Sequence, residues 1–167
     1  MNAARRWRGL VQARTAETER LDPGRDVTGA AFWDSRARRF AARLTVEAAA
    51  TDPFLRRVRR SVGRRTTVLD IGAGSGRFAL ALAPSVREVT AVDPSPAMLR
   101  MLRAQARSRG IANVRCVEGR WEDVDVAPAD VAFSSFVVTL VADAPRFLAK
   151  LDAAAGRRAW LLSLIHI

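Results

Sequence analysis

Short runs of apolar residues alternate with amphipathic stretches from Thr66 onward. The apolar runs are rich in β-branched residues and predict buried strands at residues 67–72, 88–93, 113–118, 129–138 and 158–164. The spacing of apolar positions between them predicts helices at residues 76–83, 95–110 and 143–156. Near-continuously apolar strands separated by helices indicate an α/β fold, in which helices cover both faces of a parallel sheet.

The first third of the chain has a helical pattern instead. Residues 1–20 and 29–48 show helical spacing, and a turn signal at residues 22–24 lies between them. A third helix is predicted to begin after Asp52, which is a suitable N-cap, and to end near Gly63. The N-terminal part is therefore expected to be entirely helical.

This change of pattern divides the chain into two parts. Residues 1–64 are the predicted N-terminal helical cap, and residues 65–167 are the predicted α/β domain. A length of 167 residues suffices for one domain with a sizeable core, and the apolar fraction of 49% is typical of a globular protein.

Nothing in the sequence indicates secretion or a membrane. Every apolar run is shorter than the roughly 20 residues that span a bilayer, and no apolar stretch follows the basic N-terminus. The single cysteine, Cys116, cannot form a disulfide within the chain. We therefore expect a cytoplasmic protein with no metal site.

The net charge of +11 is of the kind found in proteins that bind nucleic acids. Arginine carries nearly all of this charge, with Lys150 the only lysine, and alanine is also abundant. Such a composition is typical of GC-rich coding sequence. The arginines are scattered and are not interleaved with aromatic residues that would stack on bases. A small-molecule partner is therefore favoured over a nucleic acid.

A glycine-rich segment joins the first predicted strand to the following helix. Residues 70–76 read Asp-Ile-Gly-Ala-Gly-Ser-Gly. Glycines permit a tight turn and a close approach of a ligand to the backbone, and nucleotide-binding loops lie between a strand and a helix in this way. A simple tight turn is the alternative when such a loop stands alone.

An acidic residue at the end of the second strand strengthens the signal. Asp93 follows Asp70 by 23 residues and lies where the carboxyl ends of parallel strands meet, so it can accept hydrogen bonds from two ribose hydroxyls. The alternative role, capping the next helix, is better filled by Ser95. Loop and acid together favour a ligand that contains a nucleoside.

The spacing of the glycines distinguishes two kinds of cofactor. Dinucleotide-binding loops follow the pattern G-x-G-x-x-G/A. If the pattern begins at Gly72, Arg77 occupies the position of its last glycine, so the pattern fails. If it begins at Gly74, the pattern fits, but the loop then starts too far beyond the end of the strand. S-adenosylmethionine has an ammonium, a sulfonium and a carboxylate in place of a pyrophosphate. Asp70 suits an ammonium and would repel a pyrophosphate, so the residues favour the methyl donor.

Two motifs resemble those of the class I S-adenosylmethionine-dependent methyltransferases. Residues 68–76, Val-Leu-Asp-Ile-Gly-Ala-Gly-Ser-Gly, resemble the first motif of that family. Residues 89–99, Val-Thr-Ala-Val-Asp-Pro-Ser-Pro-Ala-Met-Leu, resemble the second. The resemblance implies a three-layer, Rossmann-like domain. It also implies an enzyme that transfers a methyl group from S-adenosylmethionine to an acceptor, here expected to be a small molecule.

The resemblance further implies a cofactor site built from these motifs. Asp70 and the backbone of the glycine loop would hold the methionine moiety, and Asp93 would bind the ribose hydroxyls. Pro94 and Met98 would flank the adenine. The loop residues included in this site are Gly72, Ala73, Gly74 and Gly76.

The segment after the third strand would contact the edge of the adenine. The family often has an aspartate where Arg120 stands, and arginine offers no hydrogen-bond acceptor. Trp121 would instead donate its backbone N–H to the ring and pack against it, with plain core packing as the alternative. Glu122 completes this part of the predicted site.

The end of the fourth strand faces the methyl group and its acceptor in this family. Ser134, Ser135 and Phe136 stand there, and Ser134 is included in the predicted cofactor site. The residues typical of enzymes that methylate amino groups of DNA are absent. No general base is evident, so the catalytic residues stay unassigned, and positioning can supply much of the catalysis. Phe32 and Trp33 lie in the N-terminal helical part. They would either reach the methionine end of the cofactor or pack in a lid or in the core.

The end of the chain is unusual for this fold. It stops at a strand that should be central, so we expect the last strands of the sheet to be missing. Residues 162–167 also resemble the translation of a sequencing adapter more than native sequence. His166, the only histidine, is assigned no chemistry. A non-catalytic nucleoside-binding fragment is therefore the alternative to an active enzyme. An NAD(P)-dependent oxidoreductase is less favoured, because the chain has no tyrosine and no credible catalytic histidine.

Overall fold

The structure, a computed structural model, describes residues 3–21 and 26–163. The strands are β1 (Thr67–Ile71), β2 (Glu88–Asp93), β3 (Val114–Glu118), β4 (Ala129–Ser135) and β5 (Ala155–Leu162). The α-helices are α1 (Ala3–Leu21), α2 (Ala30–Arg43), α3 (Val46–Ala49), α4 (Pro53–Arg59), α5 (Arg77–Leu82), α6 (Pro96–Ser108) and α7 (Ala144–Ala153). Short 3₁₀ helices occupy Ala83–Ser85 and Val138–Leu140.

The strands form one parallel sheet in the order β3-β2-β1-β4-β5. β1 is central, and its last residue, Ile71, lies opposite Val92 of β2 and Ser134 of β4. The carboxyl ends of these three strands therefore lie side by side. In an open parallel sheet, the crevice outside this edge is where ligands bind.

Successive residues of each central strand point into different layers. In β4, Phe133 packs in one core together with Leu99 of α6, and Ala132 packs in the other together with Phe147 of α7. The alternation follows from the two-residue period of a strand, and both faces are apolar because helices cover both. The predicted three-layer, Rossmann-like α/β fold is thereby confirmed.

Side-chain caps fix the beginnings of several helices where the sequence placed them. Ser95 Oγ accepts a hydrogen bond from the backbone N–H of Met98 at 3.1 Å, which caps α6. Asp52 Oδ1 accepts from Phe54 N at 2.8 Å and caps α4. These caps satisfy N–H groups that have no partner within the helix, so they fix the residue at which each helix begins.

The predicted helix over residues 29–48 is divided in two. It is interrupted at Leu44, whose φ of −111° and ψ of 72° are not helical, and α3 begins only after Thr45. Thr45 Oγ1 accepts from Ala48 N at 3.1 Å. The hydroxyl of Thr45 thus acts as an N-cap inside the periodic segment, a role that apolar spacing alone does not reveal.

The fourth and fifth strands differ from their predicted bounds. β4 ends at Ser135 and not at residue 138, because Phe136 has a φ of 62° and interrupts the extended backbone. β5 begins at Ala155, so Gly156 lies within a strand and does not terminate the preceding helix. The predicted helix over residues 143–156 is therefore too long, because glycine there resembles a helix stop, and the predicted strand begins three residues too late.

The N-terminal helices contact the sheet domain directly. α2 packs against α6, and Trp7 of α1 donates from Nε1 to the carbonyl oxygen of Val141 at 2.9 Å. The division of the chain at residue 64 stays a prediction. The predicted turn at residues 22–24 and the last residues, 164–167, with His166, lie outside the described residues. Within the described ranges, no helix is long and apolar enough to cross a membrane.

Candidate cofactor site at the carboxyl edge of the sheet

A cleft opens at the carboxyl ends of β1, β2 and β4. Nine of the predicted site residues line it: Asp70, Gly72, Ala73, Gly74, Asp93, Pro94, Met98, Trp121 and Glu122. The sheet edge thus brings together residues that are up to 52 positions apart in sequence (70 to 122). Their use by a ligand stays a prediction.

The glycine loop follows β1 so closely that one position has no room for a side chain. Gly72 has a φ of 74°, and a Cβ built on it would lie 2.1 Å from Cγ2 of Val137. The backbone N–H groups of Gly72 and Ala73 both donate to the carbonyl oxygen of Val92, at 2.8 and 3.0 Å. The loop is therefore held against the end of β2, with its backbone exposed along the cleft.

Asp93 is held at the end of β2 by two backbone donors. Oδ2 accepts from Gly74 N at 2.8 Å and Oδ1 accepts from Ser95 N at 2.9 Å. Burial raises the pKa of Asp93, and the two N–H donors partly oppose that effect. Each carboxylate oxygen has a second lone pair, so Asp93 can still accept hydrogen bonds from a ligand in the cleft.

Asp70 is buried in the wall of the cleft with an unused acceptor. Its residue is 2% exposed, and Oδ2 has no hydrogen-bond partner among the described residues. Burial, with a further contribution from the charge of Asp93, raises the pKa of Asp70 to about 8. A buried carboxyl group without a partner is costly, and a cationic ligand group in the cleft would remove that cost.

Two of the predicted site residues lie elsewhere. Ser134 is fully buried within the sheet, and its Oγ donates to the carbonyl oxygen of Ile71 at 2.9 Å, while the next residue, Ser135, lines the cleft. Gly76 has a φ of 90° and is the N-cap of α5, where a Cβ would meet Leu102 at 2.6 Å. The structure thus gives Ser134 and Gly76 packing roles next to the cleft.

The ring of Trp121 belongs to the core beneath the cleft. Its Nε1 donates to the carbonyl oxygen of Phe147 at 3.3 Å, and the Lys150 ammonium lies 4.7 Å from the ring centroid. The residue is only 3% exposed. The ring is therefore held by α7, which favours core packing for the side chain and leaves the backbone of Trp121 to contact a ligand.

Helix α2 contributes to the wall of the cleft. Trp33 and Phe40 both line the cleft and contact each other edge to face, with centroids 5.6 Å apart. Asp34 attaches this helix to α6: its Oδ1 accepts from Ser95 Oγ at 2.6 Å and from Ala97 N at 2.9 Å. Of the two alternatives for the aromatic pair, Trp33 reaches the cleft, and Phe32 packs against it at 5.1 Å.

Sequence reasoning missed several residues that line the cleft. The helical N-terminal part contributes Thr28, Phe40 and Leu44, and the segment after β4 contributes Val137, Leu140 and Val141. Arg77 and Phe78, at the beginning of α5, also line it. The apolar residues gave no signal in the sequence, since apolar side chains in a cleft cannot be told from core residues. In the sequence, Arg77 stands out only as a departure from the dinucleotide glycine pattern.

Phe136 has a strained backbone at the mouth of the cleft. Its φ of 62° lies in the left-handed region, its N–H donates to the carbonyl oxygen of Leu162 at 2.8 Å, and 41% of the residue is exposed. Left-handed backbone costs an L-residue about 1–2 kcal/mol. Such strain occurs at functional sites more often than elsewhere, and Phe136 lines this cleft.

We expect Phe136→Asn to be more stable than Phe136→Ala by about 0.5–1 kcal/mol, because asparagine tolerates the left-handed region better than alanine does. Both changes remove the ring, so their difference isolates the backbone. Urea denaturation of the two variants measures it. Equal unfolding free energies would show that the backbone relaxes and that Phe136 is not strained.

The sequence model of the methyltransferase domain family matches residues 68–155, which are more than half of the chain. The chain belongs to this family. The resemblance to class I S-adenosylmethionine-dependent methyltransferases, drawn from the two motifs, is confirmed by this match. The match includes β1 from its second residue, β2 to β4, the glycine loop and Asp93, so the residues of the cleft belong largely to the methyltransferase domain.

Relatives of this methyltransferase-family chain include uncharacterised proteins. A protein of Haemophilus influenzae is 34% identical over 134 residues, which are 79% of this chain and 49% of that protein. YcgJ of Bacillus subtilis, an uncharacterised methyltransferase, is 42% identical over 57 residues, which are 34% of this chain and 22% of YcgJ. The chain thus spans about half the length of the Haemophilus relative and less of YcgJ.

Solved structures share the fold of this methyltransferase-family chain. The structure of YcgJ has a TM-score of 0.56 at 26% identity and covers 62% of this chain and 45% of its own. A complex of DhpI with SAM and HEP has a TM-score of 0.66 at 22% identity and covers 81% of this chain and 64% of its own. At the identity of the DhpI complex, the likeness is one of fold.

Proposed function

We propose that this chain binds S-adenosylmethionine in the cleft and transfers its methyl group to a small-molecule acceptor. The observation that carries the proposal is the unpartnered Oδ2 of Asp70, which lines the same cleft as the glycine loop and Asp93. A buried carboxyl group without a partner is well placed to pair with a cation, and the α-ammonium of a methionine moiety would supply one. The likeness to the DhpI complex with SAM agrees with this choice of cofactor.

The residues present fit the remainder of the cofactor. Asp93, fixed by Gly74 and Ser95, has lone pairs free for the two ribose hydroxyls. Pro94 and Met98, which follow it along the chain, would contact the adenine. Glu122 lines the cleft beside Arg120 and would supply the acceptor for the adenine amino group that Arg120 lacks.

The bound cofactor would supply a methyl group on a sulfonium, whose transfer is already downhill. Among the described residues that line the cleft, none is a histidine or a cysteine, and its carboxyl groups, Asp70, Asp93 and Glu122, are assigned to the cofactor, so no further side chain is an evident general base. The residues of the chain would contribute by holding the cofactor, orienting the acceptor and excluding water. These effects can lower a barrier substantially without proton transfer.

The wall available to an acceptor is largely apolar. It is formed by Trp33, Phe40 and Leu44 from the N-terminal part and by Phe136, Val137, Leu140 and Val141 after β4. Small-molecule sites are concave and lined mainly by apolar and aromatic side chains. We therefore favour a small acceptor with an apolar body over a nucleic acid.

Calorimetric titration with S-adenosylhomocysteine tests the proposal, with NAD and NADP titrated in parallel. We expect saturable binding of S-adenosylhomocysteine alone, since only this ligand pairs an ammonium with Asp70 and places no pyrophosphate beside it. Binding of NAD or NADP in its place would contradict the proposal. Absence of all binding by a folded protein would favour the alternative of a non-catalytic fragment.

A further inference from the structure

An acidic and a basic side chain each have a buried atom without a hydrogen-bond partner in the same cleft. Among the described residues, four buried side-chain atoms have no partner, and two of these are Asp70 Oδ2 and Arg77 Nε. Both residues line the cleft, one on each side of the glycine loop. An unpartnered acceptor on an acid and an unpartnered donor on a base are complementary to a ligand that carries both an ammonium and a carboxylate.

The contacts of Arg77 leave part of its guanidinium unused. Its NH2 group donates to Oδ2 of Asp52 at 2.8 Å, and its Cζ lies 4.8 Å from the ring centroid of Phe78. The side chain as a whole is 20% exposed, but its Nε is buried and has no partner among the described residues. A guanidinium has five N–H donors, and the ion pair with Asp52 engages the end far from Nε.

The position of Arg77 also suits a ligand held by the glycine loop. It is the first residue of α5 and follows Gly76 directly. A side chain at the start of a helix leans toward the helix N-terminus, which here is the loop itself. The ion pair with Asp52, the N-cap of α4, further restrains the side chain there.

We infer that Arg77 binds the α-carboxylate of the methionine moiety, so that Asp70 and Arg77 together form a subsite for a zwitterionic amino-acid group. This inference rests on the proposed function and adds a residue to it. A charge-assisted hydrogen bond from a largely desolvated guanidinium is among the stronger polar contacts in proteins. Arg77 would therefore discriminate ligands that carry the carboxylate from ligands that do not.

The test is a thermodynamic cycle of four binding affinities, in which one change is made in the ligand and one in the protein. S-adenosylhomocysteine is compared with its decarboxylated analogue, which keeps the amine and the adenosine but lacks the carboxylate. Each ligand is titrated into the wild-type protein and into Arg77→Met. We expect the wild type to prefer S-adenosylhomocysteine by about 10- to 100-fold. In Arg77→Met the preference should fall to about threefold or less, while the affinity for the analogue stays nearly constant.

A matched control uses the other arginine of the cleft. Arg120 also lines it, so Arg120→Met removes one positive charge from the same site. We expect this variant to keep the preference for the carboxylate. A preference lost in Arg120→Met and kept in Arg77→Met would overturn the inference, because the carboxylate would then lie at Arg120.

Further outcomes separate binding from a purely structural role. An equal fall in affinity for both ligands in Arg77→Met would mean that Arg77 acts only through its ion pair with Asp52, which also overturns the inference. If Arg77→Met does not fold, Arg77→Lys keeps a charge for Asp52 but loses the Nε donor, and the preference should still decrease. Wild-type protein that binds neither ligand refutes the proposed function itself, whereas binding with an unchanged preference refutes only the role of Arg77.

Discussion

Asp70→Asn is expected to stabilise the ligand-free protein and to weaken binding of S-adenosylhomocysteine by about 10- to 100-fold. The stabilisation arises because the buried carboxyl group has an unpartnered oxygen and a pKa raised to about 8. The loss of affinity arises because the amide cannot pair its charge with the ligand ammonium. A single substitution would thus move stability and binding in opposite directions.

The stability of the protein should depend on pH because Asp70 has different pKa values in the folded and the unfolded state. The folded protein keeps this proton up to about pH 8, whereas the unfolded chain releases it near the ordinary value of 3.8. Between these values the folded state binds the additional proton, so this group makes the protein less stable as the pH rises. The advantage of Asp70→Asn should therefore grow from about pH 4 to about pH 8.

Thermal unfolding of both proteins over that range measures the effect. At neutral pH we expect Asp70→Asn to melt about 3–10 °C higher, which corresponds to about 1–3 kcal/mol for a protein of this size. Taking the difference between the two proteins removes the contribution of other titrating groups. A difference that is zero at every pH would show that Asp70 is not buried and neutral in the free protein.

Ligand affinity should depend on pH through the same residue. The ammonium binds the ionised form of Asp70, so wild-type affinity for S-adenosylhomocysteine should rise about tenfold per pH unit on approach to pH 8, with release of a proton. Asp70→Asn should lack this dependence. Calorimetry in two buffers of different ionisation enthalpy detects the proton directly.

Asp93→Ala should weaken binding of S-adenosylhomocysteine by about 10- to 100-fold and also destabilise the fold by about 1–3 kcal/mol. Binding is lost because the ribose hydroxyls lose their acceptor. Stability is lost because the N–H groups of Gly74 and Ser95, which now donate to Asp93, would be left without a partner. Calorimetry and urea denaturation measure the two effects separately.

Asp125→Ala is a suitable control for the Asp93 substitution. Asp125 is exposed, so the control removes a negative charge without altering the cleft. We expect neither binding nor stability to change by more than about 0.5 kcal/mol in this variant. Unchanged affinity in Asp93→Ala would remove Asp93 from the site, whatever happened to stability.

The sequence predicted those parts of the fold that depend on local chemistry. β2 has the predicted bounds at residues 88–93, and Ser95 and Asp52 cap the helices assigned to them. Short β-branched runs and Asx or Ser caps act within a few residues, so they can be recognised without knowledge of tertiary contacts. The order of strands and helices followed from the same signals.

The missed features depend on contacts between distant segments. The ring of Trp121 is held by α7, and Trp33 and Phe40 come to the cleft because Asp34 joins α2 to α6. No spacing along the chain encodes these distances. The break of helix 29–48 at Leu44 was also missed, since periodic apolar positions continue across it.

The chain carries its own spectroscopic probes for the cleft. It contains four tryptophans and no tyrosine, so tryptophan alone determines its near-ultraviolet emission. Trp33 and Trp121 line the cleft, while Trp7 and Trp160 pack elsewhere. A ligand bound in the cleft would change the environment of Trp33 and hence its fluorescence, so site occupancy can be followed in unlabelled protein, and Trp33→Phe would identify the responsible ring.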